Sequence, residues 1–128
     1  MIRAVLPTMR KQSCGKVVVI GSIGGLIGLP FVPYYSASKF ALDGLIEALR
    51  GEVAPFGIQA TIVHPGDLNT TFGANRILSR NVGTTSAYQG PFQDTLQFYA
   101  AQESNAASPQ TLARKVEKLS RNDHLLHA

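Results

Sequence analysis

Between Lys16 and Gly21 the chain reads Val17-Val18-Val19-Ile20, a β-branched run with no polar break. Branching at Cβ restricts χ1 and favours extended backbone over helix. A strand that is apolar at every position, and not only at alternate ones, belongs in a parallel sheet covered on both faces. A second short strand, Ile58 to Val63, follows a helical pattern over 34–54 whose apolar stripe is Ala41, Leu42, Leu45, Ile46, Leu49 and Val53. Pro55-Phe56-Gly57 stops that helix. Strand, helix, strand in this order predicts a right-handed βαβ unit, so the chain is read as α/β.

The flanks are read the same way. Ile2, Val5, Leu6 and Met9 fall at helical spacing despite Pro7, predicting the end of a helix over 2–11. Residues 67–90, rich in Thr, Asn, Ser and Gly, are expected to form loop with a short helix around 70–79. Pro91 is expected to open a helix carrying Phe92, Leu96 and Tyr99 on one side. Ser108-Pro109 supplies an N-cap and a first-turn proline for a last helix, with Leu112, Val116 and Leu119 on its buried side.

Bulk composition narrows the function classes. With 45% hydrophobic and 16% charged residues the chain has the balance of a globular domain. Its net charge of +4 is scattered, and no basic stripe is interleaved with aromatics, so no nucleic-acid partner is expected. The uncharged stretch between Lys16 and Lys39 is interrupted by glycines, serines, Pro30 and Pro33, which argues against a membrane span. Cys14 is the only cysteine, so no intrachain disulfide forms and a cytoplasmic location is expected. His124 and His127 have no carboxylate cluster beside them, and no metal is expected.

Tyr35 and Lys39 stand four residues apart, a spacing that puts phenol and ammonium on one helix face. A phenol ionises near pH ~10, and a cation within about 4–6 Å favours its anion. Such a tyrosine can give or take a proton as a general acid/base. Ser22, beyond the Gly-rich turn, would hold a substrate oxygen. Two rival serine chemistries fit less well. Ser36-Ala37-Ser38-Lys39 has the Ser-x-x-Lys of penicillin-binding enzymes without their companion motifs. Ser22, Asp43 and His64 follow the order of a hydrolase triad, yet Ile20 stands where the nucleophile elbow needs glycine. An i,i+4 salt bridge to Lys39 is the simpler expectation for Asp43. Tyr34 lacks the four-residue step and is expected to pack or to face substrate.

Together, Val17 to Gly25, Tyr35-x-x-x-Lys39 and Pro65-Gly66-Asp67-Leu68-Asn69-Thr70 resemble the short-chain dehydrogenase/reductase family, and Gly21 to Ala41 looks most like its hydroxysteroid dehydrogenase branch. The resemblance implies a Rossmann-like doubly wound parallel sheet and an NAD- or NADP-dependent exchange between a secondary alcohol and a carbonyl. It implies Tyr35 as proton donor or acceptor, with Lys39 lowering its pKa and bonding the nicotinamide ribose. Ser22 would orient the substrate oxygen, and Pro65, Gly66, Leu68 and Thr70 would line the nicotinamide. A homo-oligomer is implied for the full-length context.

The family's Gly-x-x-x-Gly-x-Gly turn, which meets the pyrophosphate at a helix N-terminus, does not occur in the sequence. Residues 1–128 are therefore expected to form a single partial domain, the catalytic and substrate-loop half, without the N-terminal cofactor-binding strands. A truncated reductase, weak or inactive alone, follows as the expectation. The alternative is a non-catalytic fragment that associates with other subunits through its long helix.

Overall fold

The computed structural model of the protein describes residues 1–78 and 86–122, so His124 and His127 lie outside the described residues. In chain order the elements are α1 (Ile2–Gln12), β1 (Gly15–Ile20), a 3-10 turn (Ile23–Gly25), α2 (Pro33–Val53), a second 3-10 turn (Ala54–Phe56), β2 (Ile58–Val63), α3 (Ser86–Asn105) and α4 (Pro109–Arg121). The fold is α/β, with β1 and β2 forming a two-stranded parallel sheet among the described residues. Register runs from Gly15 opposite Ile58 to Ile20 opposite Val63.

The chain divides into two compact units, Met1–Gly66 with Ala113–Ala128, and Asp67–Leu112. In the first, Val17, Ile58, Ala60 and Ile62 on the sheet bury against Ile46, Leu49 and Val53 of α2, with Ile2, Leu6 and Met9 of α1 packed alongside. Residues 42, 46, 49 and 53 follow the 3.6-residue repeat and form the inward seam. Ala41 and Leu45 were expected in that seam but lie exposed, Leu45 at 52%. Each is one step off the line and falls on its flank. Ser13 closes α1 in the left-handed region at φ 51. Gly57, at φ 67, turns the chain from α2 into β2 in a conformation that side chains seldom adopt.

In the second unit the structure departs from two expectations. Residues 70–78 hold overlapping hydrogen-bonded turns, with Asn75 N–H on the carbonyls of Thr71 and Phe72 and Arg76 N–H on that of Gly73, and no helix. Thr70 and Asn75 compete for that backbone with their side chains, which favours turns over helix. Helix α3 begins at Ser86, so Pro91 lies inside it and does not open it. Pro91 is the sixth residue of α3, past the four N–H groups that lack an intrahelical acceptor, so the helix runs through it with one backbone donor missing. Arg76 pairs with Glu103 at 3.2 Å.

Candidate active site

At its carboxyl end β1 hands the chain to Gly21 and Ser22, and the hydrogen-bonded pairing with β2 continues beyond both strands. Gly21 N–H donates to the Val63 carbonyl at 2.8 Å, and Ile23 N–H donates to the Pro65 carbonyl at 3.1 Å. Ser22 thus sits between two backbone ties to the 63–65 segment. Its Oγ accepts from Gly24 N–H at 3.1 Å, capping the 3-10 turn. A serine in extended backbone at φ −170 is suited to that task.

Helix α2 brings Tyr35 and Lys39 to the same place. Pro33 occupies its first position, where a missing N–H does no harm. Buried Ser36 accepts from Leu29 N–H at 3.0 Å and ties the preceding loop to the helix. Lys39 Nζ lies 5.6 Å from the Tyr35 ring centroid, and it donates to the carbonyls of Gly21 at 3.3 Å and Ile20 at 3.5 Å. The ammonium therefore rests on the last peptide groups of β1, beside the phenol.

Gly24 joins the serine to the tyrosine. While its N–H holds Ser22 Oγ, a Cβ built at position 24 would lie 2.9 Å from Tyr35 Cε1. Gly25 plays the same part toward the helix, since a Cβ there would meet Lys39 backbone at 3.1 Å and Asp43 Oδ2 at 2.8 Å. These two glycines let the turn seat directly on α2. Tyr34, by contrast, is 91% exposed, so it does not pack.

Asp43 does not pair with Lys39. Its Oδ1 lies 2.9 Å from His64 Nε2, and His64 Nδ1 lies 3.0 Å from the Ser22 carbonyl oxygen. The helical spacing that suggested a Lys39–Asp43 bridge is overridden by a partner from β2's end. Ser22, His64 and Asp43 do come together, but the imidazole faces the serine's main-chain oxygen, and Oγ is held by Gly24. A nucleophilic triad requires the ring on the hydroxyl, so this cluster does not activate it.

Pro65 and Gly66 follow β2 in the first unit, half-buried and exposed respectively, and space at Gly66 is open where a Cβ would stand. Leu68 and Thr70 belong to the second unit. Leu68 makes an isolated parallel bridge with Ala107, and Thr70 Oγ1 accepts from Phe72 N–H at 3.2 Å. Among the described residues no group of His, Cys, Asp and Glu could hold a metal ion, and no helix is long and apolar enough to cross a membrane.

Comparison with known proteins gives consistent findings. A family model described as short chain dehydrogenase matches residues 1–81. The chain is 44% identical to 3-ketodihydrosphingosine reductase of Bacteroides thetaiotaomicron over 119 residues, which is 93% of this chain and 44% of that protein. It is 47% identical to 17-beta-hydroxysteroid dehydrogenase type 1 of Homo sapiens over 72 residues, covering 56% of this chain and 22% of the other. A crystal structure of a short-chain dehydrogenase from Streptomyces avermitilis superposes with TM-score 0.76 at 34% identity, over 98% of this chain and 45% of that one. The chain thus spans less than half the length of these relatives.

Proposed function

This chain belongs to the short-chain dehydrogenase family, and on that footing we propose that it carries the proton-transfer half of an NAD(P)-dependent oxidoreductase site, acting between a secondary alcohol and a carbonyl. The observation that carries the reading is the meeting of Ser22 Oγ and the Tyr35 ring at Gly24, with the Lys39 ammonium 5.6 Å from that ring. In this reading Ser22 holds the substrate oxygen, and the Tyr35 hydroxyl delivers a proton to it or removes one. Lys39 keeps its charge beside the phenol, held there by the carbonyls of Ile20 and Gly21.

The residues present fit one end of a nicotinamide dinucleotide. Of three ammonium hydrogens on Lys39, two face carbonyls at 3.3 and 3.5 Å, which leaves a donor for a ribose hydroxyl. Open space at Gly66 would admit a flat ring beside backbone. The family pattern adds Pro65, and Leu68 and Thr70 farther along, as nicotinamide-lining residues. When bound, the nicotinamide supplies or accepts the hydride. No Gly-x-x-x-Gly-x-Gly turn for its phosphates occurs in the sequence, so weak dinucleotide affinity and low turnover are proposed for the 128-residue chain. Substrates to try first are those named by the relatives, 3-ketodihydrosphingosine and 17-beta-hydroxysteroids.

The test uses the two halves of the cofactor. Nicotinamide mononucleotide should shift NMR signals of Ser22, Tyr35 and Lys39, and adenosine monophosphate should not. Turnover with the reduced mononucleotide should fall about 10²–10⁴-fold in Tyr35→Phe, the usual contribution of a general acid/base. Unshifted Ser22 and Tyr35 signals, or a Tyr35→Phe variant with wild-type turnover, would defeat the reading. A second reading rests on Phe40 and Leu45, which α2 leaves 45% and 52% exposed. There the chain is non-catalytic and associates with subunits through α2. Light scattering showing a Leu45-dependent assembly, with no nicotinamide response, selects it.

A further inference from the structure

We propose that His64 is a positioning residue, a doubly protonated imidazole that fixes Ser22 against the helix carrying Tyr35 by bridging two acceptors. A peptide carbonyl can only accept, so His64 Nδ1, 3.0 Å from the Ser22 oxygen, must carry hydrogen. An ionised carboxylate can also only accept, so Nε2, 2.9 Å from Asp43 Oδ1, must carry hydrogen too. A neutral imidazole has one N–H and can satisfy one of them. Because a carboxyl is a stronger acid than an imidazolium, the second proton resides on the ring.

The surroundings favour the same assignment. Asp43 Oδ2 is buried and has no hydrogen-bond partner, so His64 is the donor this carboxylate relies on among the described residues. The imidazole side chain is itself only 16% exposed. Gly21, at β1's end, abuts it without charge: a Cβ there would lie 3.0 Å from His64 Nδ1. The charged groups from α2 are Asp43 and Lys39, and the Lys39 ammonium is turned onto the Ile20 and Gly21 carbonyls.

Three successive residues, Gly21, Ser22 and Ile23, are each tied to the 63–65 segment. The middle tie alone is made by a side chain, whose ring reaches Asp43 on α2 one turn beyond Lys39, itself bonded to the Gly21 carbonyl. With the Lys39 bond to the Gly21 carbonyl, the protonated ring holds Ser22 in place relative to the Tyr35–Lys39 pair. When the ring loses a proton, a nitrogen lone pair faces an acceptor and one tie breaks. The locked geometry belongs to the lower-pH side and is released as pH rises through the imidazole titration.

The test follows the His64 ring and the Gly24 amide by ¹⁵N NMR of the 128-residue chain across that titration. Gly24 reports on Ser22, because its N–H donates to Ser22 Oγ. At neutral pH both ring nitrogens should carry protons, and the Gly24 signal should move in step as one proton leaves on raising the pH. In Asp43→Asn the amide can donate to Nε2 of a neutral ring, so the coupled shift should vanish with the bridge kept. His64→Gln, which cannot donate to both acceptors in place of the ring, should hold Gly24 at its high-pH position throughout. A singly protonated ring at neutral pH, a pH-independent Gly24 signal in the wild-type chain, or an Asp43→Asn titration like wild type would each overturn the proposal. The link to catalysis rests on the reductase reading, whereas the bridge does not. A bridged ring in a chain blind to nicotinamide sinks that reading alone, and a singly protonated ring in a chain that binds nicotinamide sinks the bridge alone.

Discussion

Gly24 touches the Ser22 hydroxyl through its N–H at 3.1 Å and leaves no room for a methyl group beside the Tyr35 ring. In Gly24→Ala the ring or Leu29, whose Cδ1 would be 3.1 Å from the new methyl, must give way. Overpacking of this kind costs about 1–3 kcal/mol. Changed Tyr35 ring signals, together with a lower melting temperature, are the expected result. Unmoved Tyr35 signals would show that the ring is not seated on Gly24. Among the titratable groups of the second unit, Tyr99 is pushed above its ordinary value of 10.0, chiefly by burial; Arg76 opposes the shift and Asp67 adds to it. A raised folded-state value means the unfolded chain loses the proton first. The stability Tyr99 contributes is intact below its ordinary value and lost as pH rises through the folded one. Urea unfolding between pH ~9 and ~11 should show that alkaline loss, and Tyr99→Phe should flatten it. The Tyr35–Lys39 spacing was visible in the sequence because four residues make one helical turn. The Asp43–His64 pair appeared there only within the set-aside triad order, because nothing local signals a partner 21 positions away.

At the scale of elements, α2 shows how far periodicity reaches. The 34–54 pattern identified the helix to within one residue of Pro33–Val53, and Ile58–Val63 emerged as a strand with the same bounds. It misassigned Leu45, since an apolar residue one step from the seam looks the same in sequence as one inside it. Ile46, at 0% exposed, and Leu45, at 52%, make the contrast measurable. Ile46→Ala should cost about 2–5 kcal/mol in chemical denaturation, and Leu45→Ala less than about 0.5 kcal/mol. Equal costs would mean that α2 is rotated from the seam described. The short helix expected around 70–79 failed for a related reason: residues able to bond the backbone with their side chains settle for a turn when no apolar face pulls the segment into a helix.

For the molecule as a whole, the first unit is closed by a contact between distant parts of the chain. Lys16 Nζ donates to the Ser120 carbonyl at 2.9 Å and also to that of Asn122, placing a cation on the last carbonyls of α4. This is a favourable site for positive charge, and it satisfies acceptors that a helix leaves unpaired. Lys16→Met should speed amide hydrogen exchange in the last turn of α4 and leave α2 protection unchanged. Unaltered exchange in α4 would mean the tie carries no stability. The amino-acid sequence was sufficient for the parallel βαβ unit and for the Tyr-x-x-x-Lys face, because both follow from short apolar β-branched runs and a 3.6-residue repeat that act over a few neighbours. Tertiary structure alone decided which partner Asp43 takes, which apolar residues of α2 face inward, and how Gly24 and Gly25 seat the serine turn on the helix. Those outcomes depend on distances between segments remote in sequence, and packing, not local preference, sets such distances.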